Sequence, residues 1–145
     1  YAITRDPARV IVAGASNGGL AAGYAALRHS TTFGNVLAVA GWWAHDENNY
    51  ARNYFTAPTY RSEPGWIVRE FASRPQLPIR FYLDVGRFDV YYADNLRMNR
   101  HMRDVLRAKG YPLVYREYNS GHDGVAFRGR IAEGLMALTE GWSSR

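Results

Sequence analysis

An α/β fold of about four parallel strands joined by crossover helices is what the sequence predicts, on three observations. Short β-rich runs alternate with helical patterns along the whole chain. The runs Val10-Ile11-Val12-Ala13 and Val36-Leu37-Ala38-Val39-Ala40 are apolar at every position, as strands covered on both faces must be. Turn residues such as Gly110 and Pro112 stop the helical patterns where the next strand begins. With 145 residues and 47% hydrophobic content the chain can build one core, and it is too short for two ordinary domains.

Residues 9–14 form the first expected strand and residues 18–29 the helix that follows it. A second strand over 36–41 leads into a long polar and aromatic stretch, 42–63, with neither helical nor strand period. It carries Trp42, Trp43, His45, Tyr50, Tyr54, Phe55 and Tyr60. Connections of that length more often bind something than merely connect, so Trp42, Trp43 and His45 are candidate substrate contacts; an aromatic-rich loop packed over the sheet is the equal alternative. A short helix over 66–72, a strand over 79–86, a helix over 94–109, a strand over 113–118 and a last helix over 125–138 complete the order. In the 94–109 helix, Leu96, Met98, His101, Met102, Val105 and Leu106 recur at helical spacing. There is no internal repeat and no linker.

Composition removes several function classes. No cysteine means no disulfide, no thiolate metal site and no cysteine nucleophile. The formal charge of +5 comes from arginines scattered along the chain, Lys109 being the single lysine, so a nucleic-acid partner is not expected. Scattered charges of this kind read first as solvated faces, and after that as suited to an anionic substrate. No run approaches the roughly 18 apolar residues of a membrane span. The start Tyr1-Ala2-Ile3-Thr4-Arg5-Asp6 lacks the features of a secretory signal, and the compartment stays open.

The chemistry begins at Gly14-Ala15-Ser16-Asn17-Gly18-Gly19, which follows an expected strand and precedes an expected helix. Gly-x-Ser-x-Gly in that context is a nucleophile elbow: a sharp turn that exposes the serine at the carboxyl ends of the strands, with small neighbours making room. Ser16 is therefore the candidate nucleophile, and the Asn17 backbone N–H a candidate oxyanion donor at the positive end of a helix. A serine hydroxyl needs an imidazole to take its proton. His29, at a helix end, and His101, inside a helix, read as structural. His122, in Asn119-Ser120-Gly121-His122-Asp123-Gly124 after the last strand, is the base. The acid that orients it comes between serine and histidine in the chain. Asp89, in Gly86-Arg87-Phe88-Asp89 just past a strand, fits best. Asp84 falls inside that strand, Asp123 braces the histidine loop, and Asp94 is the second alternative.

Three blocks, GASNGG, FYLDVGRFD and NRHMRDVLRAKGYPLVYREYNSGHD, together resemble the enterochelin esterase family, also called the esterase D type, and the likeness extends over nearly the whole chain. The resemblance implies a partial α/β-hydrolase running from the nucleophile strand to the C-terminal helix. On that reading residues 1–145 are the C-terminal catalytic part of one domain whose N-terminal part is missing. It also implies cleavage of carboxylic esters, in several relatives those of an iron-carrying catecholate siderophore, with Ser16, His122 and Asp89 in the three roles. The histidine loop departs from the family pattern at Ser120, Gly124 and Phe127.

The expected reaction is acyl transfer through Ser16 with water releasing the acyl-enzyme, without metal or cofactor. The partner is a small-molecule ester, and for an anionic ferric catecholate Arg52, Arg61 and Arg87 are the expected cations at the mouth. The second oxyanion donor of this plan precedes the nucleophile strand and is expected outside this chain. The first strand is then expected at a sheet edge, which makes residues 1–145 alone prone to association and weakly active. A feruloyl or acetyl esterase, an acyltransferase of the same fold and a non-catalytic binding module are the rival readings.

Overall fold

Four parallel strands in the order β1-β2-β3-β4 form the sheet, so each crossover moves one position in the same direction. The computed structural model describes residues 3–44, 65–89 and 95–142. After a 3-10 turn, Pro7–Arg9, come β1 (Ile11–Ala15), α1 (Asn17–Arg28), β2 (Asn35–Val39), α2 (Trp66–Ser73), β3 (Arg80–Gly86), α3 (Asn95–Ala108), β4 (Leu113–Tyr118) and α4 (Gly124–Thr139). The α/β order read from the sequence is the order of the molecule. The expected contact His45, the alternative acid Asp94, Arg52 and Arg61 lie outside the described residues.

A sheet wound in one direction with crossovers of one hand puts every connecting helix on one face. Buried residues of α1, α2 and α3 accordingly share a single core with Val36, Ala38, Phe81 and Leu83. The alternate side chains of the same strands, Leu37, Val39 and Tyr82, face the other way and pack with Leu138 of α4, which follows the last strand and so is free to cover the second face. All five residues of β2 are buried, whereas β1 lies at the edge of the described sheet with none of its residues fully buried.

Two details differ from the sequence reading. β2 stops at Val39, two residues early, because Ala40 has φ 48° and turns the chain out of the sheet. On α3 the buried positions are Asn95, Met98, Asn99, Met102 and Leu106, so two of the inward positions are amides where the periodicity suggested only apolar ones and a histidine.

On the α4 side, the fully buried Asp84 of β3 pairs with Arg130, Nη1 to Oδ1 3.3 Å. The guanidinium also lies over the rings of Phe127 and Tyr118. Burial pushes the Asp84 carboxyl up to about 7, with Arg130 pulling the other way. A carboxyl raised in the folded state contributes stability that is fully present below about pH 4 and lost as pH rises through about 7. Asp84→Asn, neutral at every pH, should therefore lie close to the wild type in stability at about pH 4 and above it at about pH 8. Its urea midpoint should fall less than that of the wild type between those two pH values. Parallel midpoint curves for the two proteins would show that Asp84 does not titrate in that window.

Candidate active site

Ser16 ends β1 and begins α1 with φ 54° and ψ −121°, a backbone region in which L residues are strained. The strain is held by hydrogen bonds on both sides. Its N–H donates to Val39 O at 2.9 Å, and its carbonyl accepts from the N–H groups of Gly19, Leu20 and Trp42 at 3.0, 3.2 and 3.1 Å. The turn is so tight that a Cβ on Gly14 would stand 2.2 Å from Gly18 O, which is why the residue two before the serine has no side chain. Asn17 opens α1 and is exposed, with its N–H among the helix-start donors that have no acceptor within the helix.

His122 meets the serine from the loop after β4. Its Nε2 lies 2.9 Å from Ser16 Oγ, and its Nδ1 lies 2.8 Å from Asp89 Oδ2. Asp89 is fully buried at the end of the turn that follows β3, while the imidazole keeps 17% of its side-chain surface open. That turn and the histidine loop are stitched together: Arg87 N–H donates to Tyr118 O at 2.7 Å and Phe88 N–H to Ser120 O at 3.1 Å. Gly86 makes the approach fit, since a Cβ there would meet Ser120 O at 2.1 Å. Phe127, one turn into α4, packs edge-on against the imidazole at 5.2 Å between ring centres. Three side chains from positions 16, 89 and 122 thus share one hydrogen-bonded line at the carboxyl ends of the strands.

The arrangement can do proton-coupled nucleophilic chemistry. A hydroxyl, a base within hydrogen-bond reach and a carboxylate fixing the base are the geometric requirements for activating a serine. The other acids stand elsewhere: Asp84 faces Arg130, and Asp123 caps α4 by accepting from Ala126 N–H at 2.8 Å. His29 caps the end of α1 and His101 sits half-buried on α3.

The expected substrate contacts fare differently. Trp42 and Trp43 are not at an open mouth. Both are buried in the core, Trp43 completely, with its ring against Gly23 of α1 and Ile67 of α2 in the same cluster. They are apolar enough to serve the core better than solvent, and the tight turn at Ala40 directs them inward. Arg87 is exposed beside the histidine loop, donating to Asn119 Oδ1 at 3.2 Å and lying 3.7 Å from Glu117 Oε2. Glu117 is held to about 2 by hydrogen bonds from Arg100, so it stays charged and draws on this arginine cluster at any physiological pH.

The sequence reading missed Asn95. Its Nδ2 donates to Asp89 Oδ2 at 2.9 Å and to Ala40 O at 3.2 Å. Polar residues four apart on the apolar face of a helix, Asn95 and Asn99, were the available signal.

Comparison with known proteins places this geometry among relatives. The family model described as "Putative esterase" matches residues 2–138. The chain is 34% identical over 140 residues to the iron(III) enterobactin esterase of Dickeya dadantii (strain 3937), covering 94% of this chain and 31% of that one. It is 28% identical to the iron(III) enterobactin esterase of Escherichia coli (strain K12), over 90% of this chain and 30% of that one. Among solved structures it is similar to the ferric enterobactin esterase of Salmonella typhimurium, with TM-score 0.74 and 27% identity over 94% of this chain and 31% of that one. The chain spans about 31% of the length of the first of these curated relatives.

The strain at Ser16 has a measurable consequence. Ser16→Gly and Ser16→Ala both remove the hydroxyl, but only glycine relaxes at a φ of 54°. Relief of about 1–3 kcal/mol of backbone strain, less about 0.5–1 kcal/mol of added chain entropy, leaves Ser16→Gly more stable than Ser16→Ala by about 1 kcal/mol. Chemical denaturation of the two variants checks this, and an alanine variant as stable as the glycine variant would remove the strain.

Proposed function

Because the chain belongs to the esterase family, we propose that it carries the reacting groups of a serine carboxylic-ester hydrolase, with Ser16 as nucleophile, His122 as base and Asp89 as acid. The observation that carries this reading is the unbroken line from Ser16 Oγ through both ring nitrogens of His122 to Asp89, at 2.9 and 2.8 Å.

In this mechanism Ser16 Oγ attacks the ester carbonyl carbon while its proton passes to His122 Nε2. Asp89 holds the tautomer with the proton on Nδ1 and stabilises the imidazolium that forms. The carbonyl oxygen becomes an oxyanion, toward which the Asn17 N–H at the start of α1 points its partial positive charge. The imidazolium returns its proton to the leaving alkoxide, and the acyl group stays on Ser16. Water then repeats the sequence: His122 takes its proton, the acyl–Oγ bond breaks and the acid is released. No step calls for a cofactor.

For the substrate, the esters of a ferric catecholate siderophore are the reading with most support. The relatives named above act, by their names, on iron(III) enterobactin. The formal charge of +5 and the exposed Arg87 beside the histidine loop suit an anionic ligand.

Two expectations follow from the assigned roles. In the intact protein Ser16→Ala should lower ester turnover by about 10⁴ to 10⁶ and abolish labelling by a fluorophosphonate, with the label on wild type mapping to the peptide that contains Ser16. Turnover within about tenfold of wild type would remove the nucleophile. Among the carboxylates, Asp89→Asn should cost far more turnover than Asp84→Asn or Asp123→Asn, because the amide favours the wrong imidazole tautomer. A larger loss in Asp123→Asn at unchanged stability would move the acid role to position 123.

A further inference from the structure

Two asparagines stand on the buried face of α3, where Met98, Met102 and Leu106 fill the other inward positions. Burying an amide costs free energy unless each of its donors and acceptors is met, so the pair calls for an explanation that packing does not supply. Every group is met, and in one direction. Trp43 Nε1 donates to Asn99 Oδ1 at 2.8 Å. Asn99 Nδ2 is shared between Asn95 Oδ1 at 3.1 Å, Asn95 O at 2.9 Å and Gly41 O at 3.0 Å. Asn95 Nδ2 donates to Ala40 O and to Asp89 Oδ2, the same oxygen that pairs with His122. Trp43, Asn99, Asn95 and Asp89 are all fully buried.

The direction is forced by the ends. An indole N–H can only donate and a carboxylate can only accept. Trp43 therefore turns the oxygen of Asn99 toward itself and the nitrogen toward Asn95. That turns the oxygen of Asn95 toward Asn99 and its nitrogen toward Asp89. Neither amide can flip, because the carbonyls of Ala40 and Gly41 would then face an oxygen. Among the described residues only Asn95 and His122 donate to the Asp89 carboxylate, both to Oδ2, while the buried Oδ1 has no hydrogen-bond partner. For a carboxylate buried this deeply, the neutral donor beside its histidine carries weight.

We infer that Asn95 and Asn99, oriented by Trp43, are positioning residues for the reaction: a one-way hydrogen-bond relay that holds the Asp89 carboxylate aimed at His122. This rests on the assignment of Asp89 and His122 proposed above. The relay also ties the acid to the nucleophile turn, since Ala40 and Gly41, whose carbonyls it caps, precede Trp42, whose N–H holds the carbonyl of Ser16. Among the described residues, the charged side chains on the neighbouring turn and strand are engaged elsewhere: Arg87 with Glu117 and Asn119, and Asp84 with Arg130 on the opposite face of the sheet.

The test is the acid limb of kcat/KM in the intact protein, with active sites counted by fluorophosphonate titration so that only folded sites are compared. Without the Asn95 donor the carboxylate is less stable as an anion. The Asp89–His122 pair then takes up a proton more readily, whichever of the two binds it. Asn95→Leu should move the acid limb to higher pH by about one unit, with kcat about tenfold lower and KM within about twofold. Asn99→Leu, which leaves Asn95 in place but removes the donor to its Oδ1, should shift the limb in the same direction by about half as much. Acid limbs unmoved in both variants, at full active-site titre, would reduce the two asparagines to ordinary packing. Ser16→Ala measured alongside separates the two readings. Loss of turnover there with unmoved limbs overturns the relay alone, and retained turnover overturns the nucleophile and the relay together.

Discussion

The left-handed backbone of Ser16 is the constraint around which the rest of the site is arranged. A strand that must hand its chain to a helix within one residue has few backbone solutions, and the one found here, φ 54° and ψ −121°, is costly for a serine. It persists because one carbonyl accepts three N–H groups, one of them from Trp42 on the neighbouring crossover. That third bond requires the chain after β2 to come back over the nucleophile turn, and it does so through a second left-handed residue, Ala40 at φ 48°. Asn95 then caps the carbonyl that this turn exposes and, with its other hydrogen, reaches Asp89. Strain at Ser16 and the position of Asp89 are thus two ends of one hydrogen-bonded structure.

Much of this was legible in the sequence because it depends on local chemistry. Gly14, Gly18 and Gly19 around Ser16 announce a close strand–helix turn, and His122 and Asp89 fall in short polar loops directly after apolar strands, where side chains project beyond the sheet. That the strands run parallel follows from the same alternation. What could not be read is what depends on tertiary partners. Trp42 and Trp43 open a polar aromatic stretch and look like surface contacts, yet Trp43 lies against Gly23 and both join Ile67 in one core cluster, far away in the chain. Asn95 and Asn99 sit at inward positions of a helix whose apolar spacing points to Leu96, His101 and Val105 as well. Only the position of Trp43 and Asp89 in space explains why two amides replace hydrocarbon there.

Asp84 and Asp89 show how one strand and its turn give two carboxylates opposite environments. Both are fully buried and only five positions apart. Asp84, inside β3, points to the α4 face, where its counter-charge is Arg130 at 3.3 Å and burial dominates. Asp89, past the end of the strand, points to the α3 side and meets an imidazole and an amide. A lone guanidinium satisfies charge but holds no reacting group, whereas the imidazole can pass what it receives to a hydroxyl. The placement of the acid after the strand, rather than within it, is what gives it access to the histidine loop.

The histidine itself is held from both faces of the sheet. From the α3 side it receives the Asp89 carboxylate, backed by the asparagines. From the α4 side Phe127 packs against its ring, and Phe127 is in turn covered by Arg130, whose position is fixed by Asp84. Asp123, capping α4, fixes where that helix starts and therefore where Phe127 stands relative to the loop. A ring pinned on one edge by a hydrogen bond and on another by an aromatic contact has little freedom to swing away from Ser16. The loop that carries it can then be short and polar without being loose, and the cost of ordering the imidazole is met when the sheet and its two layers of helices fold.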